Sequence, residues 1–213
     1  MLLSEKPSMK FQSRIGTSRV SSIRHPASFA VLIILAGFCS ARLMAQVPSV
    51  NPNTVFVGDA GNAADTTGYG SVSYDYYMGR HEVTNGEYTE FLNAVAATDP
   101  NNLFDARMSI IRSGSSGNYS YSATEGKTDH PVVYTSFYDA SRFANWLMNG
   151  QPTGLQDAST TEEGFYTFVD STTISRQASH SGQKVNGKNW VAVANEDEWY
   201  KAAYYNPDLD ADG

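Results

Sequence analysis

Cysteine is almost missing from this chain. The only one in 213 residues is Cys39. Residues 46–213 hold no thiol, which excludes a disulfide framework, a thiolate metal site and a cysteine nucleophile within them. Long apolar runs are also missing. The best, Phe29 to Phe38, falls well short of the ~20 residues that a membrane-spanning helix needs. Basic charge is scarce past residue 45. The first 45 residues carry six Lys and Arg against one acidic residue, so the remainder stands near −12 while the whole chain stands at −7. Nothing basic is left to grip a phosphate backbone, which excludes nucleic acid as a partner. No phosphate loop is present either: Gly68-Tyr69-Gly70 lacks the following glycine and helix start. No His-Glu-x-x-His spacing and no Ser/His/Asp set in a diagnostic context appears.

What is present begins with a leader. Lys6, Lys10, Arg14, Arg19 and Arg24 precede the apolar run, and Leu43-Met44-Ala45 follows it. A basic region, an apolar region and a small-residue cleavage site make residues 1–45 a signal peptide. Cleavage is expected after Ala45, before Gln46, with Ala41 as the second site; Met9-Lys10 is an alternative start. An uncleaved anchor is the competing reading, and the short run argues against it. Phe38 before Cys39 is too bulky for a lipoprotein site. The expected address is therefore outside the cytoplasm: periplasmic, cell-surface or extracellular, with no stable membrane span after cleavage. The acidic remainder suits such a protein. Residues 46–53 read as a Pro/Asn-rich linker and 54–213 as one domain.

Three stretches within that domain share one grammar. In Arg80 to Leu92, a strand end runs into Thr84, with Glu87 three residues on as a capping box. Tyr88, Phe91, Leu92 and Val95 then follow at helical spacing. In His130 to Leu147, Ser136 and Asp139 form the second box, Ala140, Phe143, Ala144 and Leu147 form the face with Trp146 beside it, and Asn149-Gly150 ends the helix. In the last, Asn195 caps, Glu198 completes the box, and Trp199, Ala202 and Ala203 are expected on the inner face. Strands are expected over 54–57, 71–83, 165–169 and 189–193. Val72, Tyr74, Tyr76 and Met78 should share one face. Arg112 to Tyr121 reads as a Ser/Gly loop leading into a short Tyr-rich strand. Short strands, three capped helices and abundant loop give an α+β class.

Candidate chemistry is thin. His81, His130 and His180 stand apart in sequence, so a structural or solvated role outweighs metal ligation. Glu196, Asp197 and Glu198 offer paired carboxylates for acid–base work, but a first helical turn is where acidic residues answer the helix dipole. Tyr and Trp side chains read as core before they read as a carbohydrate or peptide site. Asp208-x-Asp210-x-Asp212-Gly213 matches the first half of a calcium loop without its distal Glu, and an acidic turn is the plainer reading. No residue is singled out as catalytic, cofactor-binding or metal-ligating.

Taken together, Glu82-Val83-Thr84-Asn85-x-x-Tyr88-x-x-Phe91-Leu92, Pro131-Val132-x-x-x-Ser136-Phe137-Tyr138-Asp139-Ala140 with Phe143-Ala144-x-Trp146-Leu147, and Asn195-Glu196-Asp197-Glu198-Trp199-Tyr200-Lys201-Ala202-Ala203 resemble the three motifs of the sulfatase-modifying factor family, which includes the formylglycine-generating enzyme. The resemblance runs over roughly residues 54–213 and is nearest to an exported bacterial subgroup. Val193-Ala194-Asn195 replaces the usual Leu-Pro-Thr; Asn still caps, while losing the Pro leaves the entry less rigid. The resemblance implies a loop-rich, C-type-lectin-like α+β fold of which this chain carries the N-terminal portion. It also implies that family members continue past the third motif, where calcium ligands and, in the oxidase, a copper-binding catalytic cysteine pair stand. None of these maps onto this sequence. Two expectations follow: a non-catalytic protein, peptide or glycan binder, or an oxidase whose cysteines lie beyond Gly213.

Overall fold

A computed structural model of the chain describes the backbone of residues 2–4 and residues 50–176 and 189–206. The expected cleavage site, Cys39, His180 and the Asp208–Gly213 acidic turn lie outside the described residues. The described elements run β1 (Leu2–Ser4), β2 (Thr54–Val57), β3 (Tyr76–Gly79), α1 (Asn85–Val95), β4 (Ile110–Ser113), β5 (Ser120–Ala123), α2 (Phe137–Met148), β6 (Tyr166–Phe168), β7 (Ile174–Arg176), β8 (Val191–Val193) and α3 (Glu196–Tyr204). One sheet has the order β2-β3-β1-β8, and β4–β5 and β6–β7 form separate antiparallel pairs. This mixture of helices and small sheets is the α+β class that the spacing predicts.

β1 lies within the expected leader. Its backbone lies antiparallel to both neighbours, with Leu3 opposite Met78 on one side and Ala192 on the other. The approach to β3 alternates as expected: Val72, Tyr74, Tyr76 and Met78 are all buried. Only Tyr76–Gly79 is paired as strand, however, since β2 is four residues long and supplies no further ladder.

All three capping boxes form. Thr84 accepts from the Glu87 amide while Glu87 accepts from the Thr84 amide, and the Ser136–Asp139 and Asn195–Glu198 pairs do the same. Each box satisfies two backbone donors that a helix start leaves unpaired. Thr84→Ala is expected to cost about 1 kcal/mol, read as a lower denaturation midpoint with an unchanged urea slope. α1 stops at Val95, and Leu92 accepts from the Ala96 amide. α2 stops at Met148 where Gly150 turns to a φ of 85°, the left-handed position that glycine occupies without penalty.

The core joins α1 and α2 through aromatic rings. Phe91 meets Tyr88, Phe143 and Trp146 with ring centroids 5.3, 5.2 and 5.3 Å away. α2 is buried on more of its girth than its apolar spacing predicts, because Arg142 and Asn145 are buried too. The Asn145 amide donates to the Thr161 and Tyr166 carbonyls, each at 2.8 Å, and accepts from the Tyr166 amide at 3.0 Å. One side-chain amide thus replaces a strand partner for the segment leading into β6. Gly164 packs against that amide, and a Cβ there would stand 2.5 Å from Asn145 Oδ1. Gly164→Ala is expected to cost about 1–3 kcal/mol, because Asn145 is held by three hydrogen bonds and cannot yield without breaking them. Thermal melting of the purified variant checks this.

Candidate functional site

The first motif is joined directly to the second. The Asn85 and Gly86 amides donate to the carbonyls of His130 and Thr128, each at 2.9 Å, and the Val132 amide donates to the Val83 carbonyl at 2.9 Å. The buried Asn85 side chain adds donations to the Lys127 and His130 carbonyls at 3.0 Å. Gly86 permits this approach, since a Cβ would meet Thr128 Cγ2 at 2.8 Å. Asn85 is therefore a structural clamp between the two helix entries. Its Oδ1 is buried with no hydrogen-bond partner.

Two hollows flank this junction. One of about 100 Å³ is lined by Val50, Pro52, His81, Glu82, Thr84 and Glu87 among others, and one of about 180 Å³ by Val83, Tyr88, Val132, Ala140, Phe143 and Val193 among others. Their walls are mainly apolar or already engaged. Glu87 accepts from the Thr84 amide at 2.8 Å and from its hydroxyl at 3.1 Å. His81 and His130 are exposed. Among the described residues no three His, Cys, Asp or Glu side chains gather closely enough to hold a metal ion. The copper and calcium that the resemblance implies have no such donor set among the described residues.

α3 turns differently from the expected orientation. Of the three residues expected inside, Ala202 packs half-buried against the core, but Trp199 is 45% exposed and Ala203 is exposed, whereas Glu198 and Lys201 are buried. The reason is polar. Glu198 accepts from the Tyr74 hydroxyl and from the Asn195 amide, the Tyr76 hydroxyl donates to the Glu198 carbonyl, and Lys201 Nζ donates to the Asp59 carbonyl at 2.7 Å. Docking these groups outweighs burying one indole, because each would be costly to bury unpaired. Burial, followed by the Glu198 carboxylate beside it, holds the Tyr74 hydroxyl well above the usual phenol range. Asp197 accepts from the Gly70 amide at 3.0 Å, and Glu196 is exposed. The three carboxylates that stood together in sequence thus part: Glu198 turns into the core, Asp197 holds the Gly70 amide and Glu196 stays at the surface.

This rotation builds a third hollow, of about 190 Å³, between the 62–70 loop and α3. Asn62, Asp65, Tyr69, Tyr200, Tyr204 and Tyr205 are among its lining residues. The Tyr200 hydroxyl donates to Asp65 at 2.6 Å. Hydrogen bonds from Thr67 and then Tyr200 hold the Asp65 carboxyl below its ordinary value. Sequence reading missed this group because its halves lie more than 130 residues apart, as in the Asp65–Tyr200 pair. The exposed Tyr spacing in α3 was the available signal.

Asp139 supplies a pH test. Burial raises its carboxyl above 3.8, while hydrogen bonds from Ser136 and the Arg142 charge oppose the shift. A raised acid binds its proton more readily folded than unfolded. Its contribution to stability is complete below the ordinary value of 3.8 and is lost as pH rises through the folded value. Asp139→Asn, which keeps an acceptor for the Ser136 amide, is expected to gain relative to the parent chain as pH rises from that value toward neutrality. Denaturation midpoints across that window check the sign.

Comparison with known proteins fits the helix entries and their joined motifs. The model of the sulfatase-modifying factor enzyme 1-like domain matches residues 42–206. The chain belongs to that family. No curated protein and no solved structure matches it.

Proposed function

We propose that this chain is an exported, non-catalytic binding or structural member of the sulfatase-modifying factor family. It presents loops on the family's C-type-lectin-like scaffold to a protein, peptide or glycan. The observation that carries this reading is the cysteine content: Cys39 is the only thiol, so residues 46–213 cannot supply the cysteine pair that the resemblance implies for oxidation. The geometry supports it, because Glu87, Asp139 and Glu198 serve their own helix caps. The alternative is a formylglycine-generating oxidase whose cysteines follow Gly213. Incubating the chain with a cysteine-containing sulfatase peptide and copper, followed by mass spectrometry, is expected to show no aldehyde; turnover would overturn the proposal.

Export has its own test, since cleavage after Ala45 also removes β1. No helix among the described residues is long and apolar enough to cross a membrane. The secreted form is expected to begin at Gln46, as read by intact mass. The Ala192 amide, opposite Leu3 of β1 in the uncleaved chain while the Val193 amide is turned to the Tyr166 hydroxyl, is expected to exchange faster with deuterium after cleavage. A mature mass that retains residues 1–45 would refute cleavage.

A further inference from the structure

We propose that the hollow formed by Asp65, Tyr69, Tyr200 and Tyr204 binds an alkylated ammonium group, such as the head of choline. The inference rests on the binding role proposed above and names the chemistry of one ligand.

Ring spacing carries the argument. Tyr69 and Tyr200 have centroids 5.7 Å apart, and Tyr200 and Tyr204 have centroids 5.0 Å apart. A cation feels the negative face of an aromatic ring within ~6 Å of its centroid. Tyr200 is thus in ring contact with both Tyr69 and Tyr204, and all three rings line the same hollow. Trp199 extends the series, 5.8 Å from Tyr204. The rings are open to a ligand: Tyr204 is 63% exposed and Tyr69 42%.

Charge then selects among ligands. Among the described residues the lining includes the Asp65 carboxylate and no Lys or Arg. Asp65 is fixed by the Tyr200 hydroxyl at 2.6 Å and the Thr67 amide at 2.7 Å. The buried Lys201 is turned to the Asp59 carbonyl at 2.7 Å, with its ammonium 5.5 Å from the Tyr205 ring. Anionic ligands are disfavoured by Asp65 and by the acidic chain. A primary ammonium is compact and strongly hydrated, so it gives up more water on entering a ring-lined hollow than an alkylated one does. The Asn62 side chain is engaged with the Gly70 carbonyl at 2.8 Å and the Val72 amide at 3.2 Å, and a neutral glycan is the competing ligand that titration must separate.

The hollow is also built to keep its shape. Gly70 has a φ of 86°, and a Cβ there would stand 3.0 Å from Tyr200 Cδ1. The Gly70 amide is held by Asp197. The 62–70 loop is thus locked to α3 by the residues that face the rings.

Isothermal titration of the full chain with choline, and with its uncharged carbon isostere 3,3-dimethylbutan-1-ol, tests the proposal, with maltotetraose as a neutral-glycan arm. Saturable choline binding at millimolar concentration is expected, at least about tenfold tighter than the isostere. Tyr204→Ala, at an exposed position, is expected to weaken choline about tenfold, and Asp65→Asn about fivefold, with melting temperatures near that of the parent chain. Equal binding of the isostere, unchanged binding by Tyr204→Ala, maltotetraose binding in place of choline, or no saturable choline binding would each overturn it. The aldehyde assay reads the non-catalytic assignment separately, so either proposal can fail alone.

Discussion

Trp146→Ala is expected to cost about 3–5 kcal/mol, a large part of the ~5–15 kcal/mol that holds a typical domain together. Trp146 is fully buried. Its ring lies 5.3 Å from Phe91 and 5.7 Å from Phe143 by centroid, so it joins α1 to α2. Its Nε1 donates to the Pro152 carbonyl at 2.9 Å, which also fastens the turn after α2. Truncation to Ala therefore loses apolar burial, leaves a cavity and strands a carbonyl. Trp146→Phe keeps a ring in the cluster and is expected to cost less than half as much. Urea denaturation of the two variants separates the terms: a small loss in Trp146→Ala would mean that the α1–α2 contact is not the centre of the core.

The sequence displayed the parts of this fold whose signals are local. Thr84, Ser136 and Asn195 announced their helices because a cap and its partner are three residues apart, and the structure forms all three boxes. Val72 to Met78 announced a half-buried face because strand periodicity is also local. β4 and β7 were not legible. Ile110–Ser113 gains strand geometry only by pairing with Ser120–Ala123, and Ile174–Arg176 only by pairing with Tyr166–Phe168. α3 shows the limit most clearly. Its apolar residues predicted an inner face of Trp199, Ala202 and Ala203. Ala202 does pack half-buried against the core, but Trp199 and Ala203 are exposed, and the fully buried positions are set by what Tyr74, Tyr76 and Asp59 offer to Glu198 and Lys201. Those partners lie more than 120 residues upstream, so no pattern within the helix contains them. The tyrosine-lined hollow follows from the same rotation, which is why it was invisible until the chain was folded.

Arg142→Ala is expected to cost about 3–5 kcal/mol, the range for removing one partner of a buried ion pair. The Arg142 side chain is 1% exposed, and that of Glu162 is 21%. Arg142 Nε and Nη2 donate to the two Glu162 carboxylate oxygens at 2.7 and 2.9 Å, a planar fork that only guanidinium supplies. The same group lies 3.8 Å above the Phe168 ring and donates to the Ser171 carbonyl at 3.3 Å. One side chain of α2 therefore fixes Glu162, β6 and the turn after it. Arg142→Lys keeps the charge but loses the fork and the flat stacking, so it is expected to recover only part of the loss. Glu162→Gln leaves Arg142 charged and buried without its counterion, and a double-mutant cycle between the two is expected to show coupling above 1 kcal/mol, on the order of that for contacting buried groups. If Arg142→Ala and Glu162→Gln were additive within about 0.5 kcal/mol, the pair would be a neighbour contact and not the tie between α2 and β6. Hydrogen exchange supplies the location, because loss of the tie should release the amides of 162–171 before those of α1.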